Sequence, residues 1–107
     1  MNIEQAREYA LSLDAKVEEV LFAGQWVSWR VGGKWFMLMQ LDAPEPRVAV
    51  KLPPEMGEEL RERHAGIRPA YHMNKKHWVS VLLDGSVDHD ILTFLLDVSY
   101  DLTQKGG

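Results

Sequence analysis

The chain has 107 residues and a formal net charge of −4, from 12 Lys or Arg against 16 Asp or Glu. This length predicts a single domain over residues 1–107, and a hydrophobic content of 46% is enough to fill its core. The acidic balance argues against a general nucleic-acid coat, so any contact with nucleic acid has to be local. There is no cysteine, which excludes disulfides, thiolate catalysis and Cys-ligated metal centres. No apolar run has the length of a membrane span and the first residues lack the layout of a secretory signal, so we expect a cytoplasmic protein.

The first half of the chain predicts one helix followed by four strands. Asn2 followed by Gln5 fits a capping box, and apolar residues at helical spacing then predict a helix up to about Leu13. Gly32 and Gly33 stand between two strand-like runs and accept positive φ, which is a strong signal for a two-residue hairpin turn. The expected strands are Val17–Phe22, Trp26–Val31, Lys34–Leu41 and Arg47–Lys51.

The second half predicts two more helices and a second hairpin. Pro53 and Pro54 open a helix that Gly66 ends. The expected elements are a helix over Glu55–His64, strands over Tyr71–Met73 and Trp78–Leu83 around an Asn74-Lys75-Lys76 turn, and a helix from about Asp88 to Gln104. No parallel crossover pattern is present. The sequence therefore predicts a two-layer α+β fold, an antiparallel sheet with helices packed on one face, in the order helix, strands, helix, two strands, helix.

One segment has a charge opposite to that of the rest of the chain. Residues 61–78 contain five Arg or Lys and a single acid, so they carry +4 and leave −8 on the remaining residues. Such a concentration of positive charge in an acidic protein suits an anionic ligand, or the acidic helices of the protein itself. The sequence leaves both interpretations open.

The sequence YHMNKKHW at residues 71–78, followed by VLLDGS at 81–86, resembles the MmcQ/YjbR family of small bacterial proteins. VGGK at 31–34 with Phe36, and SYDL at 99–102, extend the resemblance over nearly the whole chain. It implies an antiparallel sheet with flanking helices, similar to frataxin-like and secretion-chaperone-like folds, and a DNA-binding function in which hairpins act as wings. The loop at residues 13–16 departs from the family, which often has proline and glycine there, so the first strand need not start as it does in the family.

The first hairpin divides its side chains between two faces. With Gly32-Gly33 as the turn, Trp29 pairs with Phe36 and Ser28 with Met37. One face then carries Val27, Trp29, Val31, Phe36 and Leu38 and suits a position under the helices. The other carries Trp26, Ser28, Arg30, Trp35, Met37 and Met39, joined by Arg47 and Lys51. If helices cover one side only, this second face is too apolar for plain solvent.

Several interpretations of that second face remain open. Aromatic platforms between cations favour single-stranded nucleic acid, whereas Trp, Met and Arg are also enriched at protein interfaces. A homodimer seam, or cover by a terminus or loop, accounts for the face as well, and Arg30 against Trp35 can form a local cation–π pair. The candidate protein-interaction surface is Trp26, Trp35, Met37 and Met39.

The candidate DNA-binding residues carry positive charge or flank the tip of the second hairpin. Lysines at such a tip can touch phosphates, although a solvated turn whose lysines prevent edge pairing explains them too. The predicted DNA-binding residues are Lys75, Lys76, Arg68, His72, His77, Asn74, Arg30, Arg47 and Lys51.

Other chemistry has little support in the sequence. His64, His72 and His77 lack a carboxylate at fixed spacing and make a poor zinc signature, so we expect no metal and no cofactor. A solvated helix face explains the acids near the start of the chain, with a hard-cation ridge as the alternative. These early acids are Glu4, Glu8, Asp14, Glu18 and Glu19. Neither a nucleophile motif nor a Gly-rich phosphate loop is present, so we predict no enzymatic activity. The sequence predicts a binding protein with DNA as the first-choice ligand, a protein partner or homodimer as the alternative, and no membrane contact.

Overall fold

The computed structural model describes residues 1–70 and 73–105, in which three helices and six strands are found. In chain order the elements are α1 (Ile3–Ser12), β1 (Glu18–Phe22), β2 (Trp26–Val31), β3 (Lys34–Gln40), β4 (Arg47–Lys51), α2 (Pro54–Arg63), β5 (Ile67–Pro69), β6 (Trp78–Leu82) and α3 (His89–Lys105). The predicted α+β class and the predicted order of elements are confirmed. None of the helices in the described residues combines the length and the apolar character that crossing a bilayer requires.

Local chemistry explains where the first two helices begin. In α1 the side chain of Asn2 accepts the N–H of Gln5 at 2.8 Å, and the side chain of Gln5 accepts the N–H of Asn2 at 2.9 Å, which is the predicted capping box. Pro54 lies in the first turn of α2, where its missing N–H costs nothing. Gly57 lets α2 approach the sheet closely, since an added Cβ would lie 3.3 Å from a methyl group of Val79.

All six strands of the described residues join one antiparallel sheet in the order β1-β2-β3-β4-β6-β5. Gly32 and Gly33, with φ of +60° and +80°, form the turn of the β2–β3 hairpin as predicted. The second hairpin also exists, and the strand that pairs with β6 in it is Ile67–Pro69. Met73, the one described residue of the expected strand Tyr71–Met73, is not in a strand. Ile67 is buried and pairs soon after α2 ends, and Pro69 has no N–H with which to extend the ladder. Tyr71 lies outside the described residues.

The three helices pack on one face of the sheet and enclose the main hydrophobic core. On the helix side, α3 buries Leu92, Leu95 and Leu96 against the sheet. The ring of Tyr100 meets the ring of Phe36 edge-on, with centroids 5.6 Å apart. The sheet contributes Trp29, Val31, Phe36, Met37, Met39, Val48, Val50, Ile67, Val79 and Val81 to the same core.

Two hydroxyl–carboxylate hydrogen bonds connect α3 to the start of the chain. Tyr9 of α1 donates to Asp97 at 2.7 Å, and this bond raises the pKa of Tyr9 to about 12. Tyr100 of α3 donates to Asp14 at 2.6 Å, which lowers the pKa of Asp14, with a further bond from the N–H of Lys16. Asp14 belongs to the loop that departs from the family pattern. This loop is therefore held to α3 by its own side chain.

A β-bulge interrupts the β2–β3 hairpin. Arg30 pairs with Trp35 as predicted, but the next pair is Trp29 with Met37, so that Phe36 is an extra residue on β3. Because side chains alternate along a strand, one extra residue exchanges the faces of everything that follows it. Beyond the bulge, β3 is one residue out of the predicted register.

The bulge overturns three of the predicted face assignments. Met37 and Met39 were expected on the face away from the helices, but they are 0% and 3% exposed and belong to the core under the helices. Leu38 was expected under the helices and lies in the apolar cluster of the opposite face. Met37 and Met39 are therefore not part of any exposed interaction surface.

Next to the bulge, the backbone groups of Phe36 on β3 and Lys51 on β4 bond to Ser99 of α3 and not to each other. Its hydroxyl accepts the N–H of Lys51 at 2.8 Å and donates to the carbonyl of Phe36 at 2.6 Å, and its side chain is fully buried. The pairs that join the two strands are Met37 with Val50 and Leu38 with Ala49. A helix side chain thus replaces the ladder bond that the bulge removes.

Candidate binding face of the sheet

The face of the sheet opposite the helices is called the open face below. A row of small side chains crosses the middle of this face. Cross-strand pairing aligns one residue from each of five strands there, in the order Arg68, Ser80, Ala49, Leu38 and Ser28. Three of these five residues are Ala or Ser. Because larger side chains stand on either side of the row, the small residues leave a depression across the sheet.

A cleft of about 270 Å³ occupies this depression. Leu38, Ala49 and Ser80 form its floor, since they belong to the central strands of the sheet. Trp26 lines it on the side of β2, and Met73 lines it from the connection between β5 and β6. The lining is mostly apolar with a few polar side chains, which is typical of small-ligand sites.

Aromatic side chains continue the apolar surface beyond Trp26. The ring of Phe22 stacks on Trp26 with centroids 6.4 Å apart and lies 5.1 Å from the ring of Trp35. A second cavity of about 330 Å³ lies among Phe22, Trp26, Trp35, Leu38 and Met73, so it shares three lining residues with the cleft. Trp26 and Trp35 therefore lie on the open face as predicted, and their part in binding stays a prediction.

The connection between β5 and β6 covers part of the open face. Ala70 and Met73 from this connection pack with Leu38, Ala49 and Trp78 in a second hydrophobic cluster. Cover by a loop, one of the interpretations that the sequence leaves open, thus accounts for the buried half of this face. The cleft is what remains uncovered.

Two arginines at the cleft share one carboxylate. Arg47 lines the cleft, and Glu45 of the preceding loop lies 3.8 Å from its guanidinium and 3.5 Å from that of Arg68. The three side chains are 26%, 52% and 45% exposed for Arg47, Glu45 and Arg68 respectively, so water screens both pairs. Glu45 supplies one negative charge against the two guanidiniums, and Arg68 also attracts Asp84, whose pKa it helps to lower after the hydrogen bonds from Ser86.

Arg30 is held against the aromatic side of the open face. Its guanidinium carbon lies 5.1 Å from the centre of the Trp35 ring, which confirms the predicted cation–π pair. Its Nε also donates to Ser28 at 2.9 Å. This arginine is therefore ordered by its own neighbours and lies at β2, across the sheet from Arg68.

The lysines of the hairpin tip lie at the other end of β4 from Arg47. Asn74 organises the tip, since its carbonyl accepts the N–H groups of His77 and Trp78 and its side chain accepts the N–H of Lys76. Trp78 pairs with Lys51, the last residue of β4, which places the tip beside Lys51. Lys51 is four residues from Arg47, or about 13 Å along a strand. His72 lies outside the described residues.

The predicted cations therefore do not converge on one spot. Arg47 and Arg68 meet at the cleft, Lys51 and the tip lysines lie at one end of the sheet, and Arg30 stands among the aromatic rings. Local turn formation by Asn74 and the backbone of His77 explains these two residues without a ligand.

The early acids are partly explained by structure. Glu19 forms an ion pair with Arg7 at 2.8 Å and accepts the indole N–H of Trp29 at 3.1 Å, so it connects α1 to the sheet. Across residues 1–70 and 73–105, no group of three or more His, Asp or Glu side chains is arranged to hold a metal ion.

Some residues of the cleft were not found from the sequence. Leu38 and Gln40 were missed because of the bulge, although five successive apolar residues from Trp35 to Met39 signal that alternation fails there. Glu45 stands two residues before Arg47, which hints at a local pair. Nothing in the sequence indicates that Arg68, 23 residues further on, joins the same carboxylate.

The described residues thus form a small α+β fold with three helices on one face of a six-stranded antiparallel sheet, and in this chain the other face carries a cleft. The family model described as YjbR matches residues 11–102. The chain belongs to the YjbR family, and the resemblance drawn from its YHMNKKHW sequence is confirmed.

Among its relatives, the uncharacterized protein YjbR of Escherichia coli (strain K12) is 39% identical over 85 residues, which are 79% of this chain and 60% of that protein. The aligned part thus spans about 60% of the length of that relative. The uncharacterized protein YbdF of Escherichia coli O157:H7 is 31% identical over 103 residues, covering 96% of this chain and 84% of YbdF.

Solved structures share the fold along nearly the whole chain. The crystal structure of Deinococcus radiodurans protein DR2400, described with the domain DUF419, has a TM-score of 0.89 at 35% identity and covers 99% of this chain and 81% of its own. A crystal structure of a Pseudomonas syringae protein has a TM-score of 0.84 at 29% identity, covering 96% of this chain and 99% of that one.

Proposed function

We propose that this protein binds DNA on the open face of its sheet and catalyses no reaction. The observation that carries the proposal is the pair Arg47 and Arg68, which share Glu45 beside a cleft that Arg47 and Trp26 line. Cations fix a nucleic-acid backbone through its phosphates, and aromatic rings beside them offer stacking surfaces for bases.

The distribution of ion pairs supports this choice of face. Arg7 and Arg63 lie away from the open face, and each has its own carboxylate, at 2.8 Å from Glu19 and 2.7 Å from Glu59 respectively. Arg47 and Arg68 share Glu45 at longer distances. The open face thus sets two guanidiniums against one shared carboxylate, while the net charge of −4 limits non-specific binding elsewhere.

The tip lysines and Lys51 extend this surface along β4. A backbone that contacts Arg47 or Arg68 has to cross about 13 Å of sheet to reach Lys51, and adjacent phosphates of one extended strand repeat at shorter intervals than this. We therefore assign Lys51, Lys75 and Lys76 to phosphates further along the strand. His77 and Asn74 act by forming the turn that presents the two lysines.

The first test measures the salt dependence of binding. Fluorescence anisotropy of labelled single-stranded and duplex oligonucleotides is recorded between about 50 and 200 mM salt. The double variant Arg47→Ala/Arg68→Ala should weaken binding and flatten the log–log slope by roughly 1.4 on single strands, or 1.8 on duplex, for two lost phosphate contacts.

Arg63→Ala is the control, because it removes one arginine of the same kind from an exposed ion pair on α2, and each single variant Arg47→Ala and Arg68→Ala is compared with it. Arg63→Ala should leave both affinity and slope unchanged. Absence of DNA binding by the parent protein at low salt would contradict the proposal.

Burial of Met37 and Met39 removes half of the candidate protein-interaction surface. The homodimer alternative still has a direct readout in light scattering. A mass that doubles with concentration and returns to that of the monomer in Trp35→Ala, without DNA binding, would favour that alternative.

A further inference from the structure

We propose that the cleft between Trp26 and Met73 receives one unstacked base of a single DNA strand, whose phosphate displaces Glu45 from Arg47 and Arg68. This inference rests on the proposed function and narrows it to single strands. A base inside a duplex is stacked and paired on its edges, so it cannot enter a cleft of this kind without being extruded.

The dimensions of the cleft suit a single planar ring. Its volume of about 270 Å³ is at the lower limit of small-ligand sites, which range from roughly 300 to 1,000 Å³. The floor is low because Ala49 and Ser80 are small, and both are only 8% exposed beneath the surrounding side chains. A ligand that reaches this floor has to be thin.

The walls are suited to the faces of a base. Trp26 presents an indole ring whose orientation is supported by stacking on Phe22. Met73 lines the cleft with a polarisable thioether, which packs well against aromatic rings. Every base has an apolar π-face, so stacking here does not depend on sequence.

Two neutral polar side chains reach the same cleft. Gln40 carries both a donor and an acceptor in its amide, and Ser80 carries a hydroxyl. The edge of a base needs hydrogen-bond partners of both kinds once it leaves water. An aliphatic carboxylate can accept hydrogen bonds from these side chains, but it has no N–H to donate to the amide oxygen of Gln40 and no ring face for Trp26.

Charge complementarity selects an anionic occupant. The loop that carries Glu45 also contributes Ala43 and Pro44 to the lining of the cleft, so the carboxylate lies at its margin. Its contacts with the two guanidiniums are long and exposed and thus weak. A phosphate forms stronger, bidentate bonds with arginine and is the better partner for the pair.

A variant that fills the cleft tests base insertion without changing the cations that bind phosphate. Ala49→Met fills the floor and leaves every cation in place. Binding of a thymidine oligonucleotide of about 15 nucleotides should weaken roughly tenfold, whereas binding of the same strand within a duplex should not change. Ala15→Met is the control, since it adds the same bulk to an exposed loop position.

Met73→Ala provides a second variant if Ala49→Met fails to fold, because Met73 is half-buried on a connection and not on a strand. It should also weaken single-strand binding selectively, with thermal unfolding confirming that each variant is folded. Equal loss for single strand and duplex, or no loss with either variant, would overturn the base-insertion assignment.

The outcomes distinguish this inference from the proposed function. If the parent binds both DNA forms and the cleft variants bind like the parent, the base site is wrong and the phosphate-binding face remains. If the parent binds neither form, both fail. Displacement of the oligonucleotide by micromolar thymidine monophosphate would assign the cleft to a free nucleotide and overturn the single-strand assignment.

Discussion

A single glutamate pairs with both arginines beside the cleft. Glu45 faces both Arg47 and Arg68, and its chain neighbours Pro44 and Pro46 restrict the loop that carries it. A carboxylate at that distance repels any anion that approaches the two guanidiniums. It also keeps the arginines oriented in the absence of a ligand.

The variant Glu45→Gln should therefore bind DNA more tightly than the parent. Removing this negative charge leaves Arg47 and Arg68 without the carboxylate that they share, so affinity should rise several-fold at low salt and the log–log salt slope should steepen. Because both ion pairs are exposed, the free energy of unfolding should change by no more than about 0.5 kcal/mol. Anisotropy titrations across salt, with urea unfolding in parallel, check both statements. Glu59→Gln on α2 serves as the control, and weaker binding by Glu45→Gln would show that Glu45 itself contacts the ligand.

At the scale of the elements, periodicity predicts most of the fold. β2 and β4 have the predicted bounds, and α1 begins at the predicted capping box. These elements are regular, so local pattern decides them. The bounds of a strand can therefore be predicted from sequence where apolar and polar residues alternate regularly.

Prediction failed where a distant residue decides the local structure. Trp35 to Met39 are all apolar, so alternation cannot indicate which of them face the helices. The bulge at Phe36 is stabilised by Ser99, which is 63 residues away along the chain. The cleft depends on the register of five strands, and its small residues become a row only once that register exists. Neither feature has a signal within a short window of sequence.

Ser99→Ala tests the role assigned to Ser99. Its hydroxyl is buried and satisfies the N–H of Lys51 and the carbonyl of Phe36. Removing it leaves both groups without this partner, so the free energy of unfolding should fall by about 2–3 kcal/mol. Urea unfolding measures the loss. Ser12→Ala removes an exposed hydroxyl that bonds the carbonyl of Tyr9 and should cost less than about 0.5 kcal/mol; equal costs for the two variants would refute the bridging role.

At the scale of the whole molecule, α3 joins the beginning of the chain to the sheet. It packs on β3 and β4, and it accepts or donates the two tyrosine–carboxylate bonds to α1 and to the loop after it. Both bonds couple folding to protonation, the Asp14 bond at acid pH and the Tyr9 bond at alkaline pH.

The lowered pKa of Asp14 stabilises the folded state at pH values above the unfolded pKa of about 3.9. That contribution to stability is lost as pH falls through the folded pKa.

The raised pKa of Tyr9 acts at alkaline pH. Asp97 holds the Tyr9 proton in the folded state, so the pKa rises from an ordinary value of about 10 to about 12. The associated stability is fully present below about pH 10 and is lost as pH rises towards 12. Tyr9→Phe should therefore lower the free energy of unfolding by about 1 kcal/mol at pH 8, since it removes a part-buried hydrogen bond to a carboxylate.

The difference between the parent and Tyr9→Phe should shrink steadily between about pH 10 and 12. Taking the difference cancels the contribution of every other titrating group, since both proteins share them. Asp97→Asn is the matched comparison, because its amide oxygen can still accept the hydroxyl but carries no charge to hold the proton. At pH 8 the free energy of unfolding of Asp97→Asn should lie between those of Tyr9→Phe and the parent. As pH rises, the difference in stability between Asp97→Asn and Tyr9→Phe should disappear at a lower pH than the difference between the parent and Tyr9→Phe. Urea unfolding at a series of pH values measures all three proteins, and a parent–variant difference that stays constant up to pH 12 would show that Tyr9 does not couple folding to its proton.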